Sequence, residues 1–129
     1  FTVDFDDGSK AECKALVKDS LPEVFVSQGS SGSIVERWIH NTPSGHGSIH
    51  HLAYKVDNIE ELFSEWKDKG IEFLTNSIID CPDDDLRQIF TKPQDLLGGI
   101  IIELIERGDK GFCQNSAKEL MESTDEPTN

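Results

Sequence analysis

The part of the sequence that decides the fold is residues 49–70, IHHLAYKVDNIEELFSEWKDKG. It opens with a short segment, Ile49–Val56, whose composition and flanking turn residues are typical of a strand. Four apolar side chains then recur at positions i, i+3, i+4 and i+7, on one face of a helix: Ile59, Leu62, Phe63 and Trp66. Asn58 can cap the start of this helix, and Gly70 suits the left-handed residue that ends it. A strand followed by a helix with one apolar face predicts a helix that packs on a sheet.

Five further segments rich in Ile, Val, Phe or Leu extend this pattern along the chain. Three follow the helix, at Ile71–Thr75, Leu86–Lys92 and Ile100–Arg107, and they complete a β-α-β-β-β unit. Two precede it, at Ala11–Lys18 and Glu23–Ser27, and they resemble the end of a first unit without its opening strand and helix. We therefore expect an α+β fold of paired β-α-β-β-β units forming a curved, mostly antiparallel sheet, with the first unit incomplete.

Two smaller helices are predicted by capping boxes, which are a Ser three residues before a Glu. One box is Ser33 with Glu36, and the other is Ser116 with Glu119. The expected organisation is a single domain over residues 1–129. It contains a remnant of the first unit at 1–32, a short helix and loop at 33–48, the complete second unit at 49–107, and a C-terminal helix and tail at 108–129.

The charge of the chain excludes several classes of partner. Of its 129 residues, 25 are acidic and 12 are basic, which gives a net charge of −13. Binding to a phosphate backbone or an anionic membrane depends on clustered Lys and Arg, so we expect neither nucleic acid nor membrane as a partner. The longest apolar run, 98–105, is far shorter than the ~20 residues of a membrane span. Three widely spaced cysteines, Cys13, Cys81 and Cys113, predict no disulfide framework and a reducing, cytoplasmic setting.

Glu103 is the carboxylate inside an otherwise apolar strand segment. Burial of an ionised carboxylate is costly unless the group is paired or binds a metal. A salt bridge is the simpler explanation, and a metal ion is the alternative. His50 and His51 are adjacent in a predicted strand, so their side chains must point to opposite faces. A histidine there is more often a hydrogen-bonded structural residue than a ligand, so spacing leaves both possibilities open.

Gln88 and Phe90 share one face of the strand Leu86–Lys92, because side chains two residues apart point the same way. Gln88 could hydrogen-bond the carbonyl or carboxylate of a ligand, or it could make a cross-strand hydrogen bond. Phe112, in the segment before the last helix, is by itself better explained as a core residue. No phosphate-binding glycine loop or nucleophile motif is present in the sequence.

Several of these segments together resemble the vicinal oxygen chelate superfamily of glyoxalases, bleomycin resistance proteins and dioxygenases. They are GSIHHLAYKVDNI at 47–59, the helix ending at Gly70, RQIFTKP at 87–93 and IELIER at 102–107. The segments at 88–93 and 103–107, with Gly111, Phe112 and Asn115, are most similar to the C-terminal part of 4-hydroxyphenylpyruvate dioxygenases. Methylmalonyl-CoA epimerases come next, through SIVERWI at 33–39 and GSIHHLA at 47–53.

The resemblance to the dioxygenases implies roles for individual residues. His51 and Glu103 match two of the three iron ligands of that family, Gln88 matches a substrate-positioning glutamine, and Phe112 matches an aromatic wall of the pocket. Phe90, beside Gln88, is a further expected substrate contact. The implied function is a metal-dependent dioxygenase acting on a 2-oxo acid, with Fe(II) as first choice of metal and Co(II), Mn(II) or Zn(II) as alternatives. An epimerase-like or glyoxalase-like lyase or isomerase, and a non-catalytic domain that binds a small ligand, are the competing expectations.

The sequence departs from the family pattern in its first unit. No residue before Cys13 matches the first metal histidine, and the Asn-Glu-Pro of the dioxygenases is replaced by Ser27-Gln28-Gly29. Either the sequence is a fragment, or a partner chain completes the barrel, or the protein is a degenerate relative. Since an incomplete first unit leaves an open sheet edge, we expect a homodimer.

Overall fold

The computed structural model describes residues 1–42, 47, 49–82, 85–108 and 114–124, without the side chains of 114–116. The chain divides into two compact units. The first contains Phe1–Ser48 and Ala117–Asn129, and the second contains Ile49–Ser116. In the described part of the chain, no helix has both the length and the apolar character needed to cross a bilayer.

The first unit is built on a three-stranded antiparallel sheet in the order β1-β2-β3. Its strands are β1 at Thr2–Asp4, β2 at Lys10–Leu16 and β3 at Val24–Gly29. Strands β2 and β3 confirm the two predicted upstream strands to within two residues at each end. Strand β1 was not predicted, because three residues are too few to show an alternating pattern.

One face of this sheet is buried and the other is exposed. Alternate residues of β2 point inward, and they join a small core with the helix α1 at Ile34–Asn41 and the helix α3 at Gln114–Thr124. Its members are Val3, Phe5, Ala11, Cys13 and Ile34, with Phe25, Val35 and Met121 packed against them. As predicted, Ser33 caps α1, since its Oγ accepts a hydrogen bond from the backbone N–H of Glu36 at 3.2 Å.

The second unit has the predicted order of one strand, one helix and three strands. It comprises β4 at His51–Lys55, α2 at Ile59–Asp68, β5 at Ile79–Cys81, β6 at Leu86–Phe90 and β7 at Ile101–Arg107. The four strands form one sheet in the order β4-β7-β6-β5, in which β4 and β7 are parallel and the other neighbours are antiparallel. The expected α+β class, with mostly antiparallel pairing, is confirmed.

Helix α2 covers one face of this sheet, as its apolar periodicity predicts. Ile59, Ile89 and Leu104 form the buried centre of the contact, and the predicted helix residues Leu62, Phe63 and Trp66 pack around them. Asn58 caps the helix through a 3.3 Å hydrogen bond that its Oδ1 accepts from the N–H of Glu61. Because Ile89 and Leu104 point toward α2, their immediate neighbours along β6 and β7 point to the opposite face of the sheet.

Two predicted element boundaries were wrong. The segment Ile71–Thr75 is not a strand, and only Phe73 pairs, through a single bridge to Thr91. Pairing with β6 resumes at Ile79, opposite Gln88. From Phe73 to Ile79 the chain advances six residues while its partner advances three, so an insertion interrupts the ladder. Helix α3 begins at Gln114, which places Ser116 inside the helix rather than at its cap.

The three cysteines were expected to form no disulfide framework, and Cys81 departs from that expectation. Cys81 is disulfide-bonded, whereas Cys13 is free and buried. Because disulfides persist in oxidising compartments, the sequence argument for a reducing, cytoplasmic setting loses its basis at this residue.

Candidate functional site

The second unit brings His51 and Glu103 together on neighbouring strands. In the parallel pairing of β4 and β7, His51 lies opposite Ile101 and Ala53 lies opposite Glu103. Paired residues point to the same side of a sheet, so His51 and Glu103 share the face that α2 does not cover. Their Nε2 and Oε2 atoms are 3.4 Å apart. We call this side of the sheet the site face, defined by His51, Gln88, Phe90 and Glu103.

The carboxylate of Glu103 is nearly buried. Its side chain is 7% exposed, whereas the side chain of His51 is 25% exposed. A buried carboxylate needs a compensating positive charge, which a protonated His51 or a cation shared by the two groups could supply. His51 and Glu103 therefore meet on one face of the sheet, and both the salt bridge and the metal ion are compatible with their contact.

The spacing of the two atoms fits a shared metal ion. A nitrogen and an oxygen bound to one ion at ~2.1 Å lie roughly 3.0–3.4 Å apart for octahedral to tetrahedral angles. Imidazole with carboxylate is also a usual donor set for divalent transition metals. In the parts of the chain that the structure describes, no group of three or more His, Cys, Asp or Glu could hold a metal ion. The described residues therefore fit as two ligands of a larger set.

Gln88 and Phe90 extend the site face along β6. Phe90 lies opposite Glu103 and Gln88 lies opposite Ile105 in the antiparallel pairing. Both residues are buried, at 3% and 4% exposure. The Phe90 ring meets the His51 ring edge-on, with centroids 6.0 Å apart and an angle of 85°. Phe90 therefore restricts the ring of His51 while closing one side of the site.

The side-chain amide nitrogen of Gln88 lacks a hydrogen-bond partner among the described residues. This nitrogen, Nε2, is also buried. Because an unsatisfied buried donor costs roughly 1–3 kcal/mol, such a group usually has a functional or ligand-related explanation. The cross-strand hydrogen bond considered from sequence is not made by Nε2, and a ligand oxygen would satisfy this atom.

His50 does not turn away from His51 as strand alternation predicts. It precedes the first residue of β4, so the alternation that fixes side-chain direction within a strand does not apply to it. Instead, its Nδ1 lies 3.1 Å from Nδ1 of His51. Burial, and after it the neighbouring His51, lower the pKa of His50 to about 4. The sequence shows that the two histidines are adjacent, but adjacency alone does not predict a contact between their rings.

The remaining candidates lie elsewhere. Phe112 is outside the described residues. A cavity of about 570 Å³ lies at the end of the second unit where β4 and β7 finish, lined by Lys55, Arg87 and Glu106 among others. Neither His51 nor Glu103 lines it, and Arg87 is already paired there with Glu106 at 3.6 Å. We therefore place the candidate site on the site face and not in this cavity.

No family model and no curated protein matches the chain. Solved structures do match it. A variant of 4-hydroxymandelate synthase from Streptomyces coelicolor superposes on 97% of the chain with a TM-score of 0.76 and 20% identity, and the chain spans 44% of the synthase. The hypothetical protein BH1468 from Bacillus halodurans matches 87% of the chain and 77% of its own length, with a TM-score of 0.60 and 22% identity.

A methylmalonyl-CoA epimerase structure matches 84% of the chain and 77% of its own length, with a TM-score of 0.58 and 20% identity. At these identities the similarity is one of fold. Together with the β-α-β-β-β order of the second unit, these superpositions show that the chain has the vicinal oxygen chelate fold.

Proposed function

We propose that this chain carries part of the divalent-metal site of a dioxygenase that acts on a small 2-oxo acid, with His51 and Glu103 as metal ligands. The observation that carries the proposal is the 3.4 Å approach of His51 Nε2 to the buried carboxylate of Glu103, on the face shared with Gln88 and Phe90. Fe(II) is the metal of first choice, and Co(II), Mn(II) or Zn(II) are alternatives. When bound, Fe(II) would supply the redox chemistry for which two-His, one-carboxylate sites with open positions are used.

The substrate contacts follow from the polarity of the site face. The unsatisfied amide of Gln88 would donate to a carboxylate or carbonyl oxygen of the acid. Phe90 would pack against the substrate while holding the His51 ring, and Phe112 is carried over from the family resemblance as an aromatic wall. A net charge of −13 makes such an anionic substrate depend on these local donors, since the chain as a whole repels anions.

Two other functions remain in competition. An epimerase-like or glyoxalase-like enzyme would use the same two ligands to polarise a carbonyl, while a carboxylate moves a proton. The third candidate is a non-catalytic domain that binds a small ligand without metal. Similarity to the synthase, at a TM-score of 0.76, supports the dioxygenase more than the epimerase, at 0.58.

Metal content and oxygen consumption test the proposal together. Protein purified without chelator should contain Fe(II), or take up Fe(II) or Co(II), when measured by inductively coupled plasma analysis. The loaded protein should then consume O₂ in an oxygen electrode with 4-hydroxyphenylpyruvate or another 2-oxo acid. Exchange of the α-proton of methylmalonyl-CoA in D₂O, without O₂ uptake, would indicate the epimerase instead. A protein that takes up no metal would support the non-catalytic domain.

Matched variants connect that metal to the two residues. His51→Ala and Glu103→Gln should each abolish metal uptake, because each removes one of the two described ligands. His40→Ala is the control, since His40 is an exposed histidine at the end of α1 in the other unit. Equal metal uptake by His51→Ala and the control would overturn the assignment of the ligands.

A further inference from the structure

His50 is held in place by the strand that carries Glu103. Its carbonyl oxygen accepts a 3.1 Å hydrogen bond from the backbone N–H of Ile101, two residues before Glu103. Its ring meets the ring of His51 at 89°, with centroids 5.3 Å apart, and the two Nδ1 atoms are 3.1 Å apart. A hydrogen bond between two Nδ1 atoms requires that one is protonated and the other is not.

A metal ion shared with Glu103 would decide which nitrogen of His51 carries the proton. A neutral histidine has one protonated nitrogen, and a metal binds through the other. If His51 binds a metal through Nε2, which lies beside Glu103, its Nδ1 must carry the proton. Ligating histidines usually donate this second N–H to a polar group that fixes the ring and its tautomer. Among the described residues, His50 is the polar partner of His51 Nδ1.

We infer that His50 is a positioning residue whose Nδ1 accepts a hydrogen bond from Nδ1–H of His51 and thereby presents the lone pair of Nε2 toward Glu103. This inference rests on the proposed metal site. Phe90 packs edge-on against the same ring and cannot take over the role, because an aromatic hydrocarbon offers no acceptor comparable to a ring nitrogen. His50 thus acts on the metal through His51, without being a ligand.

Two substitutions separate hydrogen bonding from shape. His50→Phe keeps a flat ring but removes the acceptor, whereas His50→Asn places an amide oxygen close to the position of Nδ1. Co(II) affinity is measured by competition with a chelator for the wild type, both variants and the His40→Ala control. Loss of a second hydrogen-bonding partner typically lowers metal affinity about 10–100-fold. We expect that loss for His50→Phe, and affinity within a few-fold of the wild type for His50→Asn.

A second measurement reads the tautomers directly and does not need the variants. Long-range ¹H–¹⁵N correlation spectra of the wild type loaded with diamagnetic Zn(II) report which ring nitrogens are protonated when Nε2 of His51 is bound to metal. We expect a protonated Nδ1 in His51 and an unprotonated Nδ1 in His50. The reverse pattern would overturn the inference even if both phenylalanine and asparagine variants failed to fold.

The outcomes distinguish this inference from the function on which it rests. A wild type that binds no Co(II) would overturn the metal site and the positioning role with it. The role of His50 would be overturned, with the metal site intact, by either of two results. One is that His50→Phe binds Co(II) as tightly as the wild type does. The other is that His50→Asn binds Co(II) as weakly as His50→Phe does.

Discussion

Glu103 is the residue at which the metal and the salt bridge make different predictions for stability. Its carboxylate contacts His51, whose side chain is one quarter exposed and therefore keeps access to solvent when its partner is removed. We therefore expect Glu103→Gln to change the free energy of unfolding of the metal-free protein by only about 1 kcal/mol, a common cost of one substitution. A structural ion pair with a buried partner would instead cost roughly 3–5 kcal/mol.

Urea denaturation of the metal-free protein measures this difference. Glu72→Gln is the control, because Glu72 pairs with Lys92 at 3.3 Å on the surface of the same unit, where it is 73% exposed. Such an exposed pair contributes roughly 0–1 kcal/mol. A loss above 3 kcal/mol in Glu103→Gln, beside a small change in the control, would favour the structural ion pair.

The directions of His51, Gln88 and Glu103 could be predicted from sequence because they depend on parity within a strand. Once the strand is identified, alternation decides the face, and β6 and β7 contain no bulge between these positions. The direction of His50 could not be predicted, because it lies outside β4, where no alternation constrains it. The unsatisfied amide of Gln88 depends on which side chains surround it, and no local pattern encodes that.

At the scale of the element, helix α2 shows how local and tertiary caps combine. Asn58 accepts from the N–H of Glu61, and the carboxylate of Glu106 on β7 accepts from the N–H of Ile59 at 2.9 Å. Asn58→Ala leaves the second cap in place, so we expect a loss of about 1 kcal/mol in unfolding free energy. Asn58→Ser keeps a capping oxygen and should stay within a few tenths of a kcal/mol of the wild type. Equal losses in the two variants by chemical denaturation would show that the side-chain oxygen is not the stabilising group.

Elements with a strong internal signal were the ones that could be predicted. Helix α2 carries both a periodic apolar face and a cap, and its observed span Ile59–Asp68 lies within the expected limits. Strand β5 was placed too early, because the apolar segment Ile71–Thr75 fits a strand locally but the inserted residues prevent continuous pairing with β6. Pairing partners, and not propensity, decide where such a short strand begins.

At the scale of the whole molecule, the described sheets have open edges. Among the described strands, β3 pairs only with β2, and β4 pairs only with β7. Exposed edges of this kind are usually covered, and a symmetric dimer is the commonest arrangement. The described residues also offer two metal ligands, which hold an ion weakly. A second copy of the chain that contributes a further ligand would answer both needs, so we propose that metal binding and dimerisation are linked.

Linkage of this kind predicts that Co(II) promotes association. Because an ion that binds the dimer better than the monomer must shift the equilibrium toward the dimer, we expect sedimentation at micromolar concentration to show more dimer with Co(II) than without it. His51→Ala should lose this response while retaining whatever association the metal-free wild type shows, and His40→Ala should respond as the wild type does. A protein that stays monomeric with and without Co(II), its intact mass confirmed, would contradict the dimer. If the protein binds Co(II) but the fraction of dimer does not change when Co(II) is added, the remaining ligand does not come from the second copy.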